Sequence, residues 1–110
     1  MFEDEYGNFH KFQETIDLIE ESKCELWSVS MREIEESHLD AVMANHRAVG
    51  YVLMAEELEP YNPWVLNAKA WATCMSGKSA EYMVNIYSDC IAKIRLCDEY
   101  GYKKITGYPL

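Results

Sequence analysis

The sequence predicts an all-α fold, a small antiparallel bundle of about four helices in a single domain. Three observations carry this. Apolar residues recur at three- and four-residue steps over most of the chain, proline and glycine punctuate those stretches, and alternating strand-like runs are lacking. At 110 residues the chain is one domain by length, and 49% hydrophobic residues can fill one core. The expected organisation is one helical domain over 1–110, with 1–8 a flexible acidic lead-in and 102–110 a short C-terminal tail.

The central element is the stretch from Ser37 to Glu59. Leu39, Val42, Val49 and Leu53 share a helical face with His46, and Ala41, Ala44, Ala48 and Ala55 form a second line beside it. The first line is expected to be greasy core, with His46 a core histidine, and the small residues to admit a closely packed neighbour.

Before it, Phe9, Phe12, Ile16 and Ile19 predict a helix from Phe9 to about Cys24, with Asn8 as its N-cap. Residues 25–30, ELWSVS, interrupt that pattern, either as a short extended piece or as a linker tucking Trp27 against the core. Ser30 with Glu33, and Ser37 with Asp40, both have capping-box spacing. Residues 31–59 are therefore one long helix, or a short helix followed by the central one.

Pro60 ends the central helix, and Asn62–Pro63 restarts the chain with a cap and a first-turn proline. The third helix is expected from Pro63 to Met75, with Trp64, Ala68, Trp71 and Met75 on one face. Ser76–Gly77 stops it. Ser79 caps a fourth helix, whose inner face carries Met83, Ile86, Cys90, Ile94 and Cys97, widened by Tyr87 and Ile91. Gly101 is placed to close that helix in a left-handed conformation.

The join between the second and third helices resembles tetratricopeptide repeats. Ala48, Val52, Ala55 and Pro60 have the spacing of that family's second helix and turn, Leu58 to Pro63 matches its linker, and Ala70 fits the following helix. The resemblance covers about thirty residues; in the family's register Tyr82 and Asp89 fall where small alanines belong. It implies a helical-hairpin interaction surface.

The charge is uneven. Residues 1–60 carry fifteen acids against four bases, residues 61–110 four acids against six bases, and the whole chain is −9. That balance argues against sequence-independent binding to nucleic acid, which draws its affinity from cations on phosphates. It favours solubility through a solvated acidic surface, the commoner case, or attraction to a basic partner surface. The acidic start is unlike a signal peptide, and the apolar runs are far shorter than the ~20 residues of a membrane span. The four cysteines form no Cys-x-x-Cys pair, so they are expected as thiols in a reducing compartment, packed as small hydrophobes.

Motifs for catalysis are weak. Glu35 and His38 have the Glu-x-x-His spacing of di-iron bundles, but a second such motif is missing. His38 and His46 are eight residues apart, about 12 Å along a helix and too far to share an ion. Gly77-Lys78-Ser79 looks like the end of a P-loop, yet Ala72 replaces its first glycine. No cofactor and no catalytic residue is therefore expected.

The functional expectation is a non-catalytic, cytoplasmic interaction protein whose acidic half binds a basic surface of a protein partner. Glu14, Asp17, Glu20, Glu21, Glu33, Glu35, Glu36 and Asp40 are the candidate contacts. The sharper form is an inhibitor that mimics nucleic acid against a nucleic-acid-binding protein, as small viral anti-defence proteins do in a host cytoplasm. The alternatives are a helical metal protein or enzyme using Glu35 and His38, and a self-assembling subunit whose Tyr- and Trp-rich half is buried in a homodimer or larger oligomer.

Overall fold

The computed structural model describes residues 1–35, 38–75 and 79–103, with the backbone alone described between 28 and 40. Its elements run β1 (Phe2–Glu3), β2 (Phe9–His10), α1 (Gln13–Glu35), α2 (His38–Leu58), α3 (Pro63–Met75) and α4 (Ala80–Arg95), then a 3₁₀ turn over Cys97–Tyr100. The bundle of four helices is the predicted all-α fold, with a two-stranded ribbon added at its start.

That ribbon replaces the predicted flexible lead-in. Phe2 pairs with His10 and Glu3 with Phe9, antiparallel. Asp4 organises the turn between them: its Oδ1 accepts from the backbone N–H of Tyr6 at 2.9 Å and of Asn8 at 3.0 Å. Gly7 has φ 82°, a left-handed conformation that glycine adopts without steric cost. Asn8 is thus part of an Asp-centred turn rather than a helix cap, and α1 starts at Gln13, four residues later than expected.

α1 then continues through residues 25–30 to Glu35, and the Ser30 start signal lies inside it. The predicted break is absent because the buried stripe has a different phase. Thr15, Ile19, Ser22 and Leu26, at steps of four, three and four, face inward. Two of these are polar, so hydropathy alone reads them as outward. Phe9, Phe12 and Trp27 are exposed instead, Trp27 at 77%. The α2 start signal at Ser37 and the Ser76–Gly77 stop lie outside the described residues.

In α2 the small-residue line is the core. Ala41, Ala44, Ala48, Val52 and Ala55 are all buried, whereas Leu53 is 44% exposed, Val42 and Val49 are half-buried, and His46 is exposed. The Ser22 hydroxyl donates to the Ala48 carbonyl at 2.8 Å, a bond that requires the two helices to lie close. Val52 and Ala48 also meet Leu26 and Ala72, which carries the core on to α3.

Pro63 opens α3 as expected, with the Asn62 Oδ1 accepting from the Trp64 N–H at 3.0 Å. The predicted inner face is displaced here too: Val65, Leu66, Ala70 and Ala72 are buried, while Trp71 and Met75 are exposed. Lys69 lies inside because it meets Glu56 at 2.8 and 2.9 Å, and Lys93 of α4 reaches the same carboxylate at 3.7 Å. Glu56 thereby ties three helices.

Ser79 caps α4 through the Tyr82 N–H. Cys90 packs with Leu66 and Ala70, flanked by Ile86, Tyr87 and Ile94, as the sequence predicted. Cys90 and Cys97 are buried, and burial pushes the Cys90 thiol up to about 11; Cys24 and Cys74 are exposed, contrary to expectation. α4 ends at Arg95 with Leu96 as its cap, so Gly101, left-handed at φ 87°, closes the following 3₁₀ turn rather than α4, the helix the sequence predicts it to close. Tyr102, assigned to the tail by sequence, is buried at 6% exposure.

The inversion of the α2 faces is measurable. Ala48→Leu should lower stability by about 1–3 kcal/mol by overpacking the α1–α2 contact. Leu53→Ala should cost less than about 1 kcal/mol. Urea denaturation of both variants checks the order.

Candidate protein-binding face

The acidic residues predicted as contacts separate into three groups. Glu14, Asp17 and Glu21 are exposed at steps of three and four, one stripe along α1. Glu20 is half-buried beside that stripe and lies 3.7 Å from Lys23. Glu33 and Glu35 are in the last turns of α1 and Asp40 in the first turn of α2, with side chains outside the described residues, and Glu36 is outside them altogether.

The stripe borders a groove that sequence reasoning missed. One turn of α1 (Glu14, Asp17, Leu18) and one turn of α2 (Met54, Glu57, Leu58) enclose an open volume of about 570 Å³. Leu18 is half-buried, Met54 is 54% exposed and Leu58 is 36% exposed. Glu14, Asp17 and Glu57 stand around this apolar floor. Among the described residues no lysine or arginine pairs with any of the three; Asp17 accepts one hydrogen bond from Gln13 at 3.3 Å. A signal for each wall existed in the sequence, since an acid and a leucine or methionine recur at three- and four-residue steps on both helices. Their juxtaposition depends on the antiparallel register of α1 on α2.

A second groove, of about 320 Å³, lies between α2 and the start of α4, lined by Val42, Val49, Leu53, His46 and Tyr82. It explains the exposed side of the supposed greasy face, but it carries none of the predicted acids.

The strongest constellation of titratable groups lies elsewhere, where the ribbon, the α2–α3 turn and Tyr102 meet. Asn62 uses its Oδ1 to cap α3, so its Nδ2 faces His10 Nδ1 at 2.8 Å and donates to it. The His10 proton must then sit on Nε2, which donates to Asp4 Oδ2 at 2.9 Å. His10 is fully buried, and both ring nitrogens are engaged. An imidazole so held has no lone pair to offer a nucleophile or a metal.

Next to it, Glu59 Oε1 accepts from the Lys11 N–H and from the Tyr102 hydroxyl, both at 2.7 Å. Burial pushes the Glu59 carboxyl up, but hydrogen bonds from Thr15, Lys11, Tyr102 and Asn62 outweigh it and hold the group below its ordinary 4.5. The Thr15 hydroxyl is near enough to stabilise that charge, yet neither Thr15 Oγ1 nor Glu59 Oε2 has a well-formed hydrogen bond among the described residues. Burial and the charge of Glu59 raise the Tyr102 phenol. Burial likewise acts upward on Asp4, and its bonds from His10, Asn8 and Tyr6 bring it below its ordinary value.

His10 and His46 are far apart in role, one locked in this network and the other exposed on α2; the His38 side chain is outside the described residues, as is that of Glu35. Among the described residues no three His, Cys, Asp or Glu side chains are grouped to hold a metal ion. None of the described helices is long and apolar enough to cross a membrane.

Because the Glu59 pKa is depressed on folding, its stabilisation is present above pH 4.5 and lost as pH falls through the folded value. Glu59→Gln should therefore be less stable than the parent at neutral pH, and the gap should close as pH falls below 4.5. Urea midpoints measured from neutral to acid pH on both proteins test this. Comparison of the chain with family models, curated proteins and solved structures finds no match.

Proposed function

We propose that this protein is a non-catalytic binding domain of the cytoplasm, and that the acidic side of α1 and α2 docks on a basic surface of a protein partner. The observation that carries this reading is the carboxylate set Glu14, Asp17 and Glu57, matched by no lysine or arginine among the described residues, around exposed Leu58 and Met54. Carboxylates already matched by lysines contribute little further attraction, whereas unmatched ones steer and orient a cationic partner. The exposed apolar floor supplies the desolvated contact area that charge alone does not.

A non-catalytic role fits the engagement of both His10 nitrogens in the fold's interior. The general interaction reading is also better supported than nucleic-acid mimicry by a viral-type inhibitor. A phosphate mimic needs only a solvated run of anions, and Glu14, Asp17 and Glu57 also border an apolar floor of Leu18, Met54 and Leu58 that such mimicry does not use.

Charge reversal at Asp17 and Glu57 together should weaken capture of a basic partner by about tenfold or more and flatten its salt dependence. The matched control is a reversal at exposed Glu81 on α4 with one at exposed Glu3 in the ribbon, which changes net charge equally. Stepped-salt elution of proteins captured from a lysate compares the three chains. Equal retention by all of them would end the reading.

A further inference from the structure

Resting on the acidic-face reading, we infer that the groove between Glu14–Leu18 of α1 and Met54–Leu58 of α2 is a seat for a cationic amphipathic helix. Its occupant would place two or three aliphatic side chains on Leu18, Met54 and Leu58 and its lysines or arginines against Glu14, Asp17 and Glu57.

Three arguments select that occupant. The first is dimension. The lining covers one turn of each helix, about 6 Å of rise, which matches apolar side chains at i and i+3 or i+4 of a third helix laid along the pair. The second is backbone hydrogen bonding. Both walls are helices, and although the first turn of α1 and the last turn of α2 leave a few backbone groups outside the ladder, neither presents the row of alternating N–H and C=O groups along which a strand pairs. An extended segment pressed on Leu18, Met54 and Leu58 would leave its own backbone groups unpaired, whereas a helix satisfies them internally. The third is charge. Three carboxylates rim the floor and the chain is −9 overall, so a second copy would bring like charge against like charge. Lysine and arginine flanks turn the same rim from a penalty into an attraction, and the methionine in the floor adapts to different aliphatic anchors.

The probe is a labelled synthetic peptide of about 18 residues, or five turns, with leucines on one helical face and lysines on the rest. Two companions have the same leucines: one carries glutamates for lysines, and one keeps the lysines but has a central Pro-Gly that prevents a helix. Fluorescence anisotropy with the full chain should show binding of the first peptide, weaker by about tenfold or more for each companion. Met54→Glu, at an exposed position where circular dichroism should show an unchanged fold, should weaken binding of the first peptide by about tenfold or more. Asp17→Lys should weaken it and reduce its salt dependence.

Equal binding of the Pro-Gly peptide overturns the helical occupant. Loss of binding with Asp17→Lys but none with Met54→Glu overturns the groove while leaving the acidic-face reading intact. No loss with either variant, or no binding of the lysine peptide, overturns the inference; unchanged capture of a basic protein by the charge-reversed chain is what would remove the broader reading as well. A concentration-dependent dimer in sedimentation that Met54→Glu dissolves would assign the groove to a second copy and overturn the inference too.

Discussion

The structure depends on the close contact between α1 and the alanine line of α2. Ala41, Ala44, Ala48 and Ala55 have no bulk to hold a neighbour away, so Ser22 of α1 can reach the Ala48 carbonyl directly. Such a seam buries little area per residue, and its stability comes from dispersion between atoms at close range together with Val52, Ile19 and Leu26. It also has a geometric consequence. When small side chains occupy the interface, the larger apolar ones on the same helix are left at its margins. Leu53, Met54 and Leu58 are exposed for that reason, and the grooves on α2 are the outcome of a narrow seam rather than of loose packing.

The ribbon and the segment after the 3₁₀ turn are joined by a different device. Glu59 sits at the point where α2 ends, and its one oxygen gathers the N–H of Lys11 and the hydroxyl of Tyr102. Residues separated in sequence by 43 and 48 positions are thus joined on one carboxylate. His10 and Asn62 extend the network to Asp4, so the ribbon's turn, the cap of α3 and Tyr102 share one set of hydrogen bonds. A buried carboxylate costs several kcal/mol of desolvation unless its lone pairs are met. Here the donors meet one oxygen well, and the depressed pKa shows that they outweigh the burial. Stacked Tyr61 and Tyr100, with ring centres 3.6 Å apart, lie along the same junction.

The division of labour between these regions bears on function. His10 is engaged on both ring nitrogens inside the fold, whereas His46 is exposed on α2; the proposed recognition falls on the outer surface of α1 and α2. On that surface, acids and aliphatic groups occur together at the spacing of a helix turn. The Glu56–Lys69–Lys93 cluster shows what the same residue types do when they are matched: they join α2, α3 and α4. Glu14, Asp17 and Glu57, lacking such matches among the described residues, remain available.

The sequence by itself determined the helical class, the Pro60–Pro63 break, the Asn62 and Ser79 caps, the left-handed conformation of Gly101 and the inner face of α4. Those features are local. Proline geometry, a side-chain oxygen one turn from a free N–H, and glycine at positive φ act within a few residues. Glu14, Asp17 and Glu21 were legible as an acidic helix face for the same reason. Only the tertiary structure decided which face of α1, α2 and α3 points inward. Thr15, Ser22 and Lys69 are buried because a carbonyl or carboxylate on another helix, or a tightly packed seam, accommodates them; Phe12, Trp27 and Leu53 are exposed because no partner covers them among the described residues. Hydropathy scores each side chain against bulk water or bulk oil and cannot anticipate a partner 26 residues away. The groove had the same origin. Each of its walls was written in one helix, but its existence required the register that sets residues 14–18 beside residues 54–58.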